Sequence, residues 1–154
     1  MVDLKTFGVS KGEGQYQDEI VYSIALLYNT IITSIENYLQ TFNLNTGKMN
    51  ILLVIKNRAG EEGLSQVDIS KYLIVTPSNM TKMLDKLEKE GMVKRYALAG
   101  DRRVNRVKIT KKGSDLLDAI WNGYQERIKI AVEPLALEQQ QKLATLLVGW
   151  LEKK

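Results

Sequence analysis

Residues 64–95 read LSQVDISKYLIVTPSNMTKMLDKLEKEGMVKR, and they decide the fold because they encode two short helices joined by a tight connection. Ser65 begins the first helix with a hydroxyl that can accept a hydrogen bond from a free backbone amide, and an aspartate follows at capping-box spacing. Thr76 caps the second helix, and Pro77 takes its first position, where the missing amide costs nothing. Since only residues 72–75 separate the helices, the stretch is typical of a helix-turn-helix.

The second helix of this motif has one apolar and one polar face. Its apolar residues recur at three- and four-residue spacing, so we expect them to face the core: Met80, Met83, Leu84 and Leu87. Polar side chains near a helix N-terminus can bind base edges and phosphates in the major groove of DNA. The sequence therefore predicts DNA contacts around this helix from Ser65, Gln66, Thr76, Ser78, Asn79, Lys82 and Lys86.

Beyond Gly91 the sequence period changes from helical to alternating, which predicts a two-stranded hairpin with its turn at Gly100-Asp101. Residues 94–112 hold eight Lys or Arg residues and one acid, whereas the whole chain has a net charge of only +4. Positive charge concentrated on a hairpin next to a helix-turn-helix is typical of a DNA-binding wing. The DNA contacts predicted here are Arg95, Asp101, Arg102, Arg103 and Arg106.

Amphipathic helices are predicted on both sides of this region. Apolar positions at three- and four-residue spacing predict a long helix over residues 15–42 and a shorter one over residues 46–58. Two more helices are predicted within residues 114–153, separated by Pro134. Terminal helices with large apolar faces suit a homodimer interface, but the spacing alone fits an intrachain core equally well.

The composition excludes several classes of chemistry. The chain of 154 residues is 44% hydrophobic and 26% charged, as expected of one globular domain. It has no Cys and no His, which excludes disulfides, thiol redox sensing and nearly all structural zinc sites. No apolar run approaches the roughly 18–20 residues of a membrane span, and the N-terminus lacks a signal-peptide core. We therefore expect a cytoplasmic protein that is not an enzyme and that needs no cofactor, metal or membrane.

Taken together, the motifs resemble the winged-helix regulators of the MarR (multiple antibiotic resistance regulator) family. The resemblance covers most of the chain and rests on these segments: Leu64-Ser65-Gln66, Thr81-Lys82, LEKEGMVKR at residues 87–95, Asp101-Arg102-Arg103, and KITKKG at residues 108–113. It implies a mainly α fold with a small two-stranded wing. Residues 1–154 would form a single domain, with the winged helix-turn-helix at 46–112 and dimerisation helices at 1–42 and 114–154.

The same resemblance implies a dimeric transcriptional regulator, most often a repressor, that binds double-stranded DNA at a pseudo-palindromic operator. Carried over by position, Arg103 would enter the minor groove while Asp101 orients the wing tip. Lys82 replaces the arginine common after this threonine, and a lysine favours phosphate contact over the forked reading of guanine. The implied homodimer interface includes Phe7, Leu135, Leu143, Leu146, Leu147 and Trp150.

The resemblance also implies a pocket for a small aromatic or anionic effector between the terminal helices and the winged region. Candidate lining residues are Tyr28, Tyr38, Met49 and Tyr124, and core packing is the simpler explanation of each. Two alternatives remain open at this point. One is an architectural protein that binds DNA of any sequence, and the other is a protein-interaction module that uses the winged fold to bind an acidic partner.

Overall fold

The structure is a computed structural model that describes residues 4–9, 12, 14, 16–73, 77–98 and 101–153, with side chains omitted at residues 77, 78, 98 and 101–105. Within these residues the chain forms six α-helices, three β-strands and a short 3-10 helix at Leu4–Phe7. The elements are α1 (Tyr16–Gln40), α2 (Thr46–Arg58), β1 (Leu64–Ser65), α3 (Gln66–Lys71), α4 (Pro77–Lys89), β2 (Val93–Leu98), β3 (Asp101–Ile109), α5 (Lys111–Val132) and α6 (Leu137–Leu151). Among the helices of this described part, none combines the length and apolar character that crossing a bilayer requires.

The helix bounds follow local sequence signals. The first long helix ends at Gln40, and Asn43 then adopts a φ of 56°, a left-handed conformation that asparagine tolerates better than most residues. The fourth helix begins at Pro77, as the sequence predicts. The fifth ends at Val132, just ahead of the proline predicted to break it.

By its internal contacts the chain divides into two compact units. The central unit is Ile35–Tyr124 and contains the predicted helix-turn-helix and wing. The terminal unit combines Met1–Ser34 with Gln125–Lys154. The predicted organisation of the chain as one domain with dimerisation helices remains a prediction.

The core of the central unit is built from the end of α1, α2, α3, α4, the sheet and the first part of α5. The side chains of Leu84 and Leu87 are completely buried and Met80 is nearly so, which confirms these three residues of the predicted inner face of α4, whereas Met83 is only half-buried. The other fully buried side chains are aliphatic residues or methionine: Leu39, Met49, Ile51, Leu52, Ile55, Ile69, Val107, Leu117 and Ile120. Burial of such side chains supplies the main driving force that holds α4 in place.

The sheet has one strand more than the sequence predicts. Its order is β1-β3-β2, and both pairings are antiparallel. The unpredicted strand is β1, which is only two residues long and is too short to show alternating apolar and polar residues. Leu64 pairs with Val107 because the preceding Gly63 brings the chain against the wing with a φ of 70°. A Cβ at Gly63 would lie 2.6 Å from the Tyr96 hydroxyl oxygen and 2.8 Å from the Val107 carbonyl oxygen, so only glycine allows this approach.

The end of α4 is joined to the start of α5 by a compact set of polar contacts. The Thr110 hydroxyl lies 2.7 Å from the Gly91 carbonyl oxygen and 3.0 Å from that of Met92, and it accepts a hydrogen bond from the Gly113 amide at 3.1 Å. A Cβ at Gly113 would overlap the Met92 carbonyl oxygen. The spacing Thr-x-x-Gly therefore has a structural cause, since the threonine caps α5 while the glycine lets the two backbones touch.

Substitution of Gly113 by alanine tests this joint. We expect a loss of about 1–3 kcal/mol in the free energy of unfolding, since the added methyl group meets backbone that cannot move aside cheaply. Urea denaturation followed by circular dichroism measures the change.

The matched control is Gly149→Ala in α6, where nothing lies within 4 Å of the added Cβ. This substitution should stabilise the protein by about 0.5–1 kcal/mol through helix propensity. Equal midpoints for Gly113→Ala and the wild type would show that the joint is not tightly packed.

Candidate nucleic-acid interface

The helix-turn-helix begins with the predicted cap. The Ser65 hydroxyl accepts from the Asp68 amide at 3.0 Å and donates to the Asp68 carboxylate at 2.6 Å. The Lys71 ammonium lies 2.9 Å from the same carboxylate. The hydrogen bond from Ser65, and then that from Lys71, hold the pKa of Asp68 below its ordinary value because both stabilise the ionised form.

The two helices of the motif are also linked directly. The Gln66 side-chain amide in α3 donates to the Thr81 hydroxyl in α4 at 2.5 Å. Both predicted DNA contacts at this end, Ser65 and Gln66, thus have structural partners within the protein. Whether they also contact DNA remains a prediction.

The outer face of α4 carries the polar side chains that the sequence assigned to DNA. Asn79, Lys82 and Lys86 are all exposed and line one side of a groove of about 380 Å³. The opposite side of the groove is formed by Glu36 and the first residues of α2. The structure therefore brings three of the predicted residues together on one accessible surface, which we call the α4 face.

The start of α2 lies against this face for a reason that the sequence did not reveal. Asn45 caps the helix by accepting from the Lys48 amide at 2.8 Å, and Glu36 accepts from the Thr46 amide at 2.9 Å. A Cβ at Gly47 would lie 2.6 Å from the sulfur of Met83, so glycine sets the close approach of α2 to α4. Such contacts join residues far apart in sequence, and no local pattern indicates them.

An ion pair between a buried lysine and a partly exposed glutamate lies at the far end of α4. Lys48 is 7% exposed, and its ammonium donates to the two carboxylate oxygens of Glu90 at 2.6 and 2.8 Å. The Glu90 carbonyl oxygen in turn accepts from the Lys112 ammonium at 2.8 Å. Sequence reasoning missed this pair, since a single lysine and a single glutamate 42 positions apart give no signal.

Two of the predicted wing cations already bind groups within the protein. Arg95 is half-buried, with nitrogens 2.6 Å from the Asp85 carboxylate and 2.8 Å from that of Glu88. Arg106 is half-buried, and its guanidinium lies 3.9 Å from the Asp68 carboxylate and 3.4 Å from the Gly63 carbonyl oxygen. Arg95 thus ties β2 to α4, and we leave both arginines out of the DNA contacts proposed below.

The remaining predicted contacts cannot be placed. Thr76 lies outside the described residues, and the side chains of Ser78, Asp101, Arg102 and Arg103 lie outside the described part as well. The described backbone shows that β3 begins at Asp101 and that Leu98 pairs with Asp101. The hairpin itself is therefore confirmed, whereas the roles of its tip residues remain predictions.

The predicted effector residues have clear packing roles. Met49 is only 1% exposed, and the Tyr38 hydroxyl donates to the Ile120 carbonyl oxygen at 2.9 Å. The rings of Tyr124 and Trp121 lie 5.6 Å apart, and Tyr28 is 58% exposed in the terminal unit. These contacts agree with core packing for Tyr38 and Met49, and an effector role for the four residues remains a prediction.

The predicted interface residues lie in the terminal unit and keep much of their apolar surface. Phe7, Leu143, Leu146, Leu147 and Trp150 are between 38% and 63% exposed, and Leu135 is half-buried. Phe7 stacks obliquely on Tyr22 at a ring separation of 5.8 Å. Exposed apolar side chains at this density are typical of a protein surface that associates.

The geometry defines a class of protein, the winged helix-turn-helix, in which a two-helix motif is followed directly by a β-hairpin. The MarR family model matches residues 44–104, which hold the helix-turn-helix, β2 and the start of β3. This part of the chain therefore matches the MarR family, the family that the sequence motifs resemble.

Comparison with known proteins extends the match. The HTH-type transcriptional regulator PecS of Dickeya dadantii (strain 3937) is 26% identical over 120 residues, or 78% of this chain and 72% of PecS. The MepR–DNA complex of S. aureus has a TM-score of 0.77 at 22% identity and covers 87% of this chain and 97% of that one. A mutant of E. coli MarR complexed with operator DNA has a TM-score of 0.77 at 22% identity, with coverages of 86% and 94%. These superpositions confirm the predicted fold.

The lowered pKa of Asp68 gives a pH dependence that can be tested with Asp68→Asn. A carboxylate with a depressed pKa stabilises the folded state above its unfolded pKa, and this contribution disappears as the pH falls through the folded pKa. We therefore expect the variant to be less stable than the wild type at pH 7 and equally stable once the pH is well below the ordinary aspartate pKa of about 3.9. Thermal unfolding over that pH range measures the difference.

The variants Ser65→Ala and Lys71→Gln test the two partners separately, since each removes one of the hydrogen bonds to the Asp68 carboxylate. In an NMR titration the pKa of Asp68 should rise in both variants relative to the wild type. An unchanged carboxyl titration in both variants would contradict the hydrogen-bond network.

Proposed function

We propose that this protein is a sequence-specific DNA-binding transcriptional regulator that acts in the cytoplasm as a homodimer, most simply as a repressor. Each α4 enters a major groove of a pseudo-palindromic operator, and each wing contacts the adjacent minor groove. The two-fold symmetry of a dimer places the half-sites about 34–36 Å, or one helical turn, apart.

The observation that carries this proposal is the α4 face. Asn79, Lys82 and Lys86 are exposed on one side of a helix whose other side is locked into the core. Asn79 lies in the first turns, where an asparagine amide can form a paired contact with adenine. Lys82 and Lys86 follow at one-turn spacing, so their ammonium groups can reach successive backbone phosphates. The same arrangement of helix and hairpin occurs in the MepR and MarR complexes with DNA.

The wing supports the proposal through its charge. After Arg95 and Arg106 are set aside, Arg102 and Arg103 remain near the turn of the hairpin, and Lys94 is exposed at its base, where it pairs with Lys108. Arginines at the tip of a wing suit the narrow, electronegative minor groove of A·T-rich DNA. We assign Arg103 to this groove and Asp101 to orienting the tip.

The homodimer is supported by the terminal unit. Apolar side chains from α1 and α6 line an open groove of about 520 Å³, among them Ile24, Leu27, Leu143 and Leu147. A protein that left this groove in water would expose apolar surface without gain. A second copy that contributes the same faces would cover it, as two-fold symmetry requires.

Release by a small aromatic or anionic effector is the regulatory part of the proposal. An effector can release DNA only if it binds the arrangement that cannot bind DNA more tightly than the one that can. Tyr28 and Tyr124 offer exposed or half-buried rings for such a ligand.

Selection of bound duplexes from a random DNA pool tests the DNA-binding proposal. We expect a palindrome to be enriched, and its affinity should fall by about 10³–10⁵ between 50 and 200 mM salt if six to ten phosphates are contacted. Asn79→Ala should relax the preference at one base by about 1–3 kcal/mol. Lys82→Gln should weaken binding to all sequences. It should also reduce by about one the salt slope, which is the slope of the logarithm of the binding constant against the logarithm of the salt concentration.

The control is Lys56→Gln, which removes one charge from the same unit but from an ion pair with Asp118 at 2.6 Å, away from the α4 face. Its binding should match that of the wild type. Low-salt binding without enrichment would favour an architectural protein, and no duplex binding at all would favour a protein-interaction module.

The homodimer is tested by Leu147→Glu, which places a charge in the apolar groove of the terminal unit. We expect sedimentation to shift from dimer to monomer, since an unpaired charge cannot be buried cheaply. Gln141→Glu adds the same charge on the same helix and should leave the dimer intact. A variant at Leu147 that stayed dimeric would place the interface elsewhere.

A further inference from the structure

An open pocket of about 620 Å³, lined mostly by polar residues, lies in the central unit beside the last turns of α4. Residues from the end of α1 and the start of α2, including Gln40 and Asn43, form one wall, and α4 forms the other. Three lysines border it, Lys48, Lys86 and Lys89, and we call it the lysine cavity. Its volume lies within the range of about 300–1,000 Å³ that small-molecule sites occupy.

Lys48 supplies a buried cation at this cavity. Two of its N–H groups bind the Glu90 carboxylate, and the third points to the Asn43 carbonyl oxygen at 3.4 Å. That distance exceeds the usual upper value of about 3.2 Å for an N–H···O hydrogen bond. An anionic oxygen in the cavity would be a better acceptor for this hydrogen.

Lys86 and Lys89 supply two more cations. Their positions three residues apart place them on neighbouring points of the α4 surface, and both are exposed. Their ammonium groups form no hydrogen bond or ion pair with any residue in the described part of the chain. Among the described residues that border the cavity Glu90 is the one acid, so these residues carry an excess of two positive charges. Such a lining favours a ligand that carries two negative charges.

We propose that the lysine cavity binds a phosphate group, held by Lys86 and Lys89 above the buried Lys48. Lysines act as compact point charges toward phosphate, and the amide side chains of Gln40 and Asn43 can donate to further oxygens. The phosphate can belong to a bound duplex or to a free phosphorylated molecule. The site exists independently of DNA binding, and only the duplex source rests on the proposed function.

A free phosphate compound at this site would also act on DNA binding. Lys86 borders both the lysine cavity and the α4 face. A bound dianion would therefore reduce the positive potential that the α4 face presents to the duplex. Linkage then requires that DNA and the free ligand each weaken the binding of the other by the same factor.

Isothermal titration of the full-length protein with inorganic pyrophosphate, at constant ionic strength, tests the site. The informative variant is Lys89→Gln, since Lys89 is exposed and is not one of the proposed DNA contacts. We expect its affinity for pyrophosphate to be about tenfold weaker, as loss of one charge-assisted hydrogen bond predicts. The control is Lys142→Gln, which removes an exposed charge from α6 and should bind pyrophosphate like the wild type.

The salt dependence of duplex binding identifies the source of the phosphate. If a duplex phosphate occupies the cavity, Lys89→Gln should reduce the salt slope by about one relative to Lys142→Gln, whether or not pyrophosphate binds. If a free molecule is the ligand, Lys89→Gln should weaken pyrophosphate binding and leave the slope unchanged. Two results together would overturn the site. The first is that Lys89→Gln and Lys142→Gln bind pyrophosphate equally well, or that the protein binds no pyrophosphate. The second is that the two variants show the same salt slope for duplex binding. A wild-type protein that bound no duplex would refute the proposed function, and the pyrophosphate titration alone would then decide the site.

Discussion

The contact between the end of α4 and the start of α5 is the constraint on which the central unit depends. The Met92 carbonyl oxygen accepts from the Thr110 amide at 3.0 Å, while the Thr110 hydroxyl lies at the Gly91 carbonyl and Gly113 packs on the same backbone. These few atoms close the hairpin onto the helix that precedes it, so the wing cannot change its direction independently of α4. The position of one proposed DNA-contacting element is thereby set by the other.

The positive charge of the wing region does two different things. Arg95 forms ion pairs with Asp85 and Glu88, and Arg106 lies near the Asp68 carboxylate and the Gly63 carbonyl oxygen. These two charges therefore stabilise the motif itself. The lysines on the exposed side of α4 have no such partners among the described residues and remain available to an anion. Net charge alone does not separate the two groups, because it counts a paired guanidinium and a free ammonium alike.

The parts of the fold that the sequence predicted are those with local signals. The cap at Ser65, the helix start at Pro77 and the inner face of α4 each follow from residues within one or two helical turns. The strand at Leu64–Ser65 and the pair between Lys48 and Glu90 depend instead on partners some forty residues away. Part of the candidate site was predicted in the same way, since Asn79, Lys82 and Lys86 share an exposed face. The groove opposite them is formed by distant segments and required the structure.

One contact inside the central unit bears on how related sequences vary. The ring of Tyr38 occupies the space where a side chain at Gly123 would stand, and its hydroxyl binds the Ile120 carbonyl oxygen one turn earlier on α5. Glycine costs about 1 kcal/mol of helix propensity at such a position, and the partly buried tyrosine hydrogen bond offsets this loss. The side chains at positions 38 and 123 therefore share one space. A homologue with a larger residue at position 123 has room only for a smaller residue at position 38. Paired substitutions at these two positions in related sequences would show that residue 38 of α1 keeps its place beside residue 123 of α5.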